Sequence, residues 1–473
     1  MQYANSIIRL SALAFGIAGA LAAGNASAEA FHLKENSVKA AGRAFAGAGS
    51  AQGDTSVVAN NPAVMSTFKQ TTAQTDMTLI DVSFEFKGGG YDSVGDPLTG
   101  GDGGDAGGLS PVPAMSIVKP LTGAFEGLTV GAMVSAPFGL KTEYDNGWVG
   151  RYHALKSDVR VVDLTLAASI NLSDTFSVGA GLIIERADVT LSNAIDFGSA
   201  ACNQAADLGL PCTIFAAIGF PGIGPQLNDG AISIEGDDTN LGWTAGANWR
   251  PSERWSIGYS HRSEVDHEIS GKADFTVPGT GVSDGSSGNI SGLLAALTPG
   301  QYIDTGGGAK LTLPSVDTVS VTWQATDRLA LMSEYQRTDW HSLEEVRITF
   351  DNPLQADSAE DYKWEDANFY SIGGEYKFSD TLTFRAGAGR DESPISRPYR
   401  TPRMPDQDRN FYALGVTWAP GEHWEISGSY TRVQLVDTPE VELVSEGSGQ
   451  GALLVGSYDG GADLYGVSAQ YKF

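Results

Sequence analysis

Residues able to do covalent chemistry are few in this chain, and they are scattered. The six histidines form no His-Glu-x-x-His pair and no Cys/His cluster, so no zinc-hydrolase site is spelled out. No Gly-x-Ser-x-Gly elbow is present, and no nucleophile stands beside a base. The Gly-rich run Ala46-Gly47-Ala48-Gly49-Ser50 follows no strand pattern, so tight backbone packing explains it better than a phosphate loop. Cys202 and Cys212 share one irregular segment. In an exported chain their main reading is a disulfide that staples a surface loop. Free thiols or a metal site are the alternatives, the latter without a nearby histidine. The chain therefore reads as no enzyme, with no cofactor and no metal implied.

Composition narrows the class further. Arg9, the apolar run Leu10–Ala23 and the small residues Ala26-Ser27-Ala28 read as a signal peptide over 1–28, with the mature chain starting at Glu29. No other run is apolar enough to cross a bilayer as a helix. Mean hydropathy is −0.13, which also suits a barrel whose polar lumen residues offset its lipid-facing ones. The net charge of −27 argues against a nucleic-acid partner, which would need Lys and Arg on its phosphates. Acid concentrated in loops, as in Gly100–Asp105, serves solubility. Alternatively, through divalent cations, it bridges to anionic surface glycolipid.

These few groups need a scaffold, and the scaffold is strands. Leu164, Leu166, Ala168, Ile170 and Leu172 alternate with Asp163, Thr165, Ser169 and Asn171. Tyr412–Trp418, Tyr370–Phe378 and Tyr465–Phe473 repeat the pattern, with aromatic residues at many strand ends. Short turns, such as Leu172-Ser173-Asp174 and Ala419-Pro420-Gly421-Glu422, alternate with long Gly- and Asp-rich loops such as Asn193–Asp238. Short periplasmic turns and long outer loops are the asymmetry of an outer-membrane barrel. The pattern predicts an all-β fold: a transmembrane antiparallel β-barrel of about fourteen strands over 71–473. Residues 29–70 lack alternation and predict an N-terminal hatch, a plug inside the barrel. One strand breaks its own rules at Pro137-Phe138-Gly139-Leu140. Proline donates no ladder hydrogen bond and glycine weakens pairing, so this is either the end of the strand or a gap in the wall.

Several blocks in order resemble the FadL-type long-chain fatty acid transporters of Gram-negative outer membranes. They are Ala30-Phe31, Gly42–Gly47, Asn61-Pro62-Ala63, Arg262–Val265, Ser393-Pro394 and Pro405–Arg409. The resemblance implies a multi-pass monomer in the outer membrane, among its lipid and lipopolysaccharide. Its hatch would carry Asn61, Pro62 and Ala63, and its lateral gate Pro137, Phe138 and Gly139. Ligand would be captured by outer loops, held against Phe31, and released sideways into the membrane.

Two arginines are then candidates for a ligand carboxylate, which Arg can hold with two parallel hydrogen bonds. Arg347 alternates against Val346, Ile348 and Phe350, which predicts that it faces the lumen. Arg186 corresponds to a pocket position of the family, but shares parity with Val178, Leu182 and Ile184. It faces inward only if a bulge near Glu185 shifts the register. A lumen salt bridge with Glu185 or Glu345 is the alternative role for these arginines. Passive uptake of long-chain fatty acids or similar hydrophobic compounds is the leading expectation. The rivals are uptake of neutral hydrocarbons and a structural or adhesive barrel.

Overall fold

The computed structural model describes residues 31–278, 290–445, 447 and 449–473. The signal peptide read at 1–28 and the start at Glu29 lie outside the described residues. The first strands are β1 (Thr72–Tyr91), β2 (Gly108–Pro120), β3 (Leu128–Glu143), β4 (Lys156–Ser173), β5 (Phe176–Asp196) and β6 (Asp229–Ser252). Next come β7 (Trp255–Arg262), β8 (Val265–Thr276), β9 (Thr305–Leu313), β10 (Val316–Gln324), β11 (Leu329–Thr338), β12 (Glu345–Phe350) and β13 (Ser358–Asp361). The last are β14 (Ala367–Lys377), β15 (Leu382–Asp391), β16 (Arg409–Trp418), β17 (Trp424–Leu435), β18 (Glu440–Ser445) and β19 (Ala452–Lys472).

Every ladder is antiparallel, and β1 pairs with both β2 and β19, so the sheet closes on itself. Five wall strands are each interrupted once: β7 with β8, β9 with β10, β11 with β12, β13 with β14, and β17 with β18. Counting each of these as one strand gives a closed barrel of fourteen.

Along the wall the burial pattern is inside out. Leu166, Ile170, Ile372, Leu414 and Val467 are exposed, while Asp163, Thr165, Ser169 and Ser468 are buried. So much outward apolar surface fits hydrocarbon, and a closed barrel leaves no unpaired sheet edge in it. No described helix is long and apolar enough to cross a membrane. Trp249, Trp255, Trp323, Phe378, Trp418, Trp424 and Phe473 stand out near the short turns, with Tyr335, Tyr370, Tyr412, Tyr430 and Tyr465 further up the strands. Beyond the tyrosines, outward charges begin, such as Arg337 with Asp366 and Arg432 with Asp463. These two aromatic belts bound the apolar band.

Residues 31–68 are almost wholly buried, and they contact strands all round the ring. Val38 N donates to Asp76 of β1 (2.9 Å), and Thr55 Oγ1 bonds Ser116 of β2 (2.6 Å). Arg43 pairs with Glu375 of β14 (2.7 Å), and Lys39 with Glu425 of β17 (2.6 Å). Ion pairs and polar bonds suit this interface, because the inner face of a wall with an apolar exterior is polar.

Candidate ligand-binding site

The wall opens where the sequence breaks its alternation. β2 and β3 pair only from Met115–Val134 down to Pro120–Thr129. The register of β3 against β4 shifts between Ser135 and Phe138, then resumes up to Glu143–Lys156. Gly108–Ala114 of β2 still pairs with β1, and no ladder pairing joins it to β3. The gap ends above at Glu143 N, which donates to Ala106 O (3.0 Å).

The inward-turned strand finds its missing partner in the N-terminal segment. Leu33 N donates to Pro137 O (2.7 Å), and Gly139 N donates to Phe31 O (2.8 Å). His32 and Phe138 thus form a short antiparallel bridge. Residues 31–33 therefore occupy, within the barrel, the edge that β2 vacates, and satisfy backbone groups that would otherwise be costly to bury.

This pairing fixes Phe31. Its ring packs on Phe138 (5.8 Å), Trp340 (4.9 Å) and Trp364 (5.8 Å), with Trp340 and Trp364 5.1 Å apart. Trp340 lies between β11 and β12, and Trp364 between β13 and β14, where both wall strands break together and push these side chains inward. Above this aromatic cage lies an almost wholly apolar cavity, lined by Phe31, Leu140, Val159, Val189, Ile269, Leu311, Val346, Ile348 and Met404, among others. Charged side chains touch it at few places: Glu235, Lys272 and Arg403.

Arg403 is the buried cation of this wall, 8% exposed. Its guanidinium donates to Ser157 Oγ (3.2 Å), Asn193 Oδ1 (3.0 Å) and the carbonyls of Lys156 (3.3 Å) and Ser192 (3.5 Å), and lies 3.5 Å from Glu360. His153, in the loop beside it, is held neutral: burial and the Arg403 charge push its pKa down to about 3. Lys272 is exposed and pairs with Asp274 (2.9 Å) and Glu235 (3.8 Å).

A second, polar chamber is lined by Ser135, Ala136 and Pro137 at the kink, together with His32, Lys34, Asp163, Arg262 and Glu334. Arg262 bridges Asp163 (2.6 Å) and Glu185, and its guanidinium lies 5.8 Å from the Phe138 ring. It joins β4, β5 and β7 behind the kink.

The two arginines chosen from sequence stand elsewhere. Arg186 points outward, about half exposed, and pairs with Asp188 (2.8 Å) and Asp237 (3.2 Å). The register runs unbroken through Glu185 and Arg186 on both sides, so the bulge that would have turned Arg186 inward is absent, and Glu185 faces the interior instead. Arg347 also points away from the cavity, bound to Glu345 (2.9 and 2.8 Å). Its neighbours Val346, Ile348 and Phe350 line the cavity. β12 lies in the outer extension of the wall, where water is outside and the apolar cavity inside, so the sense of the alternation is reversed. Arg403, Trp340 and Trp364 were missed. Arg403 sits two residues before the block Pro405–Arg409, and the tryptophans break their strands without a proline to signal it.

Asn61, Pro62 and Ala63 are buried against the wall. Asn61 Nδ2 donates to the carbonyls of Gly49 (2.8 Å) and Ala247 (3.2 Å), while Oδ1 accepts from Ala63 N (3.1 Å) and caps the 3-10 turn Pro62–Thr67. Ser177 Oγ donates to Ala63 O (3.0 Å). A Cβ on Gly246 would stand 2.1 Å from Asn61 Oδ1, and one on Gly179 2.6 Å from Ala63 N. Cys202, within the helix Phe197–Asp207, is joined to Cys212 in a disulfide (Cα–Cα 4.7 Å).

Comparisons with known proteins agree with this architecture. A family model described as "Outer membrane protein transport protein (OMPP1/FadL/TodX)" matches residues 19–473. The chain is 27% identical over 470 residues to outer membrane protein P1 of Haemophilus influenzae, covering 96% of this chain and 97% of that one. It is also 27% identical over 470 residues to a long-chain fatty acid transport protein of Escherichia coli, covering 97% and 98%. A solved FadL homologue of Pseudomonas aeruginosa superposes with a TM-score of 0.82 at 25% identity, covering 94% of this chain and 99% of that chain. The toluene transporter TodX of P. putida shares the fold, with a TM-score of 0.63 at 15% identity over 91% and 98%. A closed fourteen-strand wall with an apolar outer band, matched from end to end by these relatives, makes this chain an outer-membrane protein of the OMPP1/FadL/TodX transport family.

Proposed function

We propose that this protein carries long-chain fatty acids or similar amphiphiles passively across the outer membrane. One observation carries the reading: an apolar cavity closed below by Phe31 and its aromatic cage, with the buried Arg403 in its wall. The acyl chain fills the apolar part, and Arg403, with Lys272 nearby, receives the carboxylate. Charged hydrogen bonds of this kind contribute about 1.5–3 kcal/mol each. The E. coli relative, named a long-chain fatty acid transport protein, supports the same assignment.

Residues 31–68 act as the hatch. Release runs past Phe31 and Phe138 into the polar chamber, then sideways through the gap between β2 and β3. The chain works as a monomer, because one chain encloses the whole path, and its acidic outer loops face lipopolysaccharide.

A second reading is uptake of neutral hydrocarbons. It is favoured by the protein groups that already engage Arg403, which a neutral ligand would leave undisturbed.

The test is binding of hexadecanoic acid and of hexadecane to purified protein in detergent, with Arg403→Ala, Arg403→Lys, Arg347→Ala and Arg186→Ala. Acid binding weakened tenfold or more by Arg403→Ala, partly restored by Lys, and unchanged by the other two supports the amphiphile reading. Equal binding of both ligands, insensitive to Arg403, replaces it with the hydrocarbon reading. Binding of neither ligand leaves a structural barrel.

A further inference from the structure

The double break that drives Trp340 and Trp364 inward leaves a second set of side chains on the opposite face of the wall. The β11–β14 ladder ends at the pair Thr338–Ala367, and the β12–β13 ladder begins at Glu345–Asp361. Between them, Asp339 and His341 flank Trp340, and Asp366 follows Trp364 by two residues. The side chains of Asp339, His341 and Asp366 are 38%, 67% and 25% exposed, respectively, and their ligand atoms lie within 4.8 Å of one another.

The local geometry is short of protons. His341 Nδ1 lies 3.0 Å from Asp366 Oδ1 and against Asp339 Oδ1. One ring nitrogen carries at most one hydrogen, so it serves one of these oxygens. Asp339 Oδ1 is enclosed by its neighbours, with the His341 ring nitrogen as its close contact. Arg337 takes the other oxygen of Asp366 (2.5 Å), on the side away from the imidazole. Two carboxylates and one imidazole nitrogen thus converge on a single point. In a tetrahedral zinc site with bonds of about 2.0–2.1 Å, ligand atoms sit roughly 3.3 Å apart.

The position also suits an ion. Ten strand residues, Leu329–Thr338, separate Asp339 from the short turn below, about the length that crosses the hydrocarbon. Asp339 and His341 therefore emerge above the tyrosine belt, in contact with water.

We propose that Asp339, His341 and Asp366 form a site for a first-row divalent cation, zinc foremost. One imidazole with two carboxylates prefers such an ion to calcium or magnesium, which favour all-oxygen sets. The ion staples the two wall strands where their backbone ladder is interrupted. Because its ligands flank Trp340 and follow Trp364, it also stiffens the cage that seats Phe31. Ion binding itself is independent of what the cavity carries.

The experiment titrates zinc chloride into purified, chelator-free protein in detergent, followed by calorimetry and by tryptophan fluorescence. His341→Ala and Asp339→Asn are compared with His423→Ala, a control in a short turn at the other end of the barrel. His341 is exposed, so its variant keeps the fold. The expected result is one equivalent of zinc with micromolar affinity and a fluorescence change. Both should weaken at least tenfold in the first two variants and persist in the control. No zinc binding by the wild type, or unchanged binding in His341→Ala and Asp339→Asn, overturns the site. Calcium binding as tightly, in competition with zinc, overturns the assignment of the ion class.

Discussion

Phe31 is held by backbone on one side and by three aromatic rings on the other. Phe31→Ala removes the floor of the cavity while leaving the wall intact. Losing this contact is expected to cost about 2 kcal/mol of ligand binding, or roughly thirtyfold in affinity, with little change in thermal unfolding of the barrel. Calorimetry on the variant checks this. His153 makes a prediction about pH. Its folded-state pKa, about 3, lies below the ordinary value of 6.5, so the outer loop is stabilised by a neutral ring above pH 6.5. That stability is lost progressively as the pH falls from 6.5 towards 3. Protease cleavage of the loop at residues 144–155 should rise as the pH drops from 7 to 5, and His153→Gln should flatten the dependence. At this scale the sequence was only partly legible. The Cys202–Cys212 pair could be picked out by position and composition, whereas Phe31 came only from the family resemblance. Arg347 and Arg186 could not be placed, because alternation says which residues share a face and not what that face meets. Over β12 the environments on the two sides are exchanged, and the same pattern carries the opposite meaning.

The elements that matter are the irregular ones. Pro137 and Gly139 mark the kink because proline removes a donor and a wall in hydrocarbon has no water to replace it. What composition does not reveal is that residues 31–33 supply the missing partner, since nothing in a short polar-apolar segment announces a bridge to a strand a hundred residues away. The breaks at Trp340 and Trp364 carry no proline or glycine of their own, so they escape the same logic. Asn61 and its neighbours are anchored by close approach to wall glycines. Gly246→Val would drive a side chain into Asn61 and is expected to destabilise the inner segment by about 1–3 kcal/mol. Hydrogen exchange of residues 49–68 should quicken in that variant, while exchange in the strands stays slow.

Across the whole molecule, the outer loops and the barrel are separate reservoirs of stability. The Cys202–Cys212 bridge closes a small ring within one loop, worth about 3 kcal/mol in a chain-entropy account. Reduction should therefore expose residues 197–220 to protease and leave the resistance of the barrel to heat unchanged. Fold class was the most legible property, because every wall strand repeats the same two-sided constraint and the turn lengths alternate with it. The closing seam has a consequence for assembly. Thr72, only two residues beyond the inner segment's last turn and linker, pairs with Lys472, and Phe473 N donates to Thr71 O. The contact that completes the ring is thus among the longest in sequence, and it must be paid for in loop entropy after nearly every other strand has found its place. The inner segment is tethered directly to that seam, so it has to be inside when the ring shuts. A peptide of residues 29–70 added to a preassembled 71–473 barrel should fail to enter, whereas the same two pieces refolded together should combine.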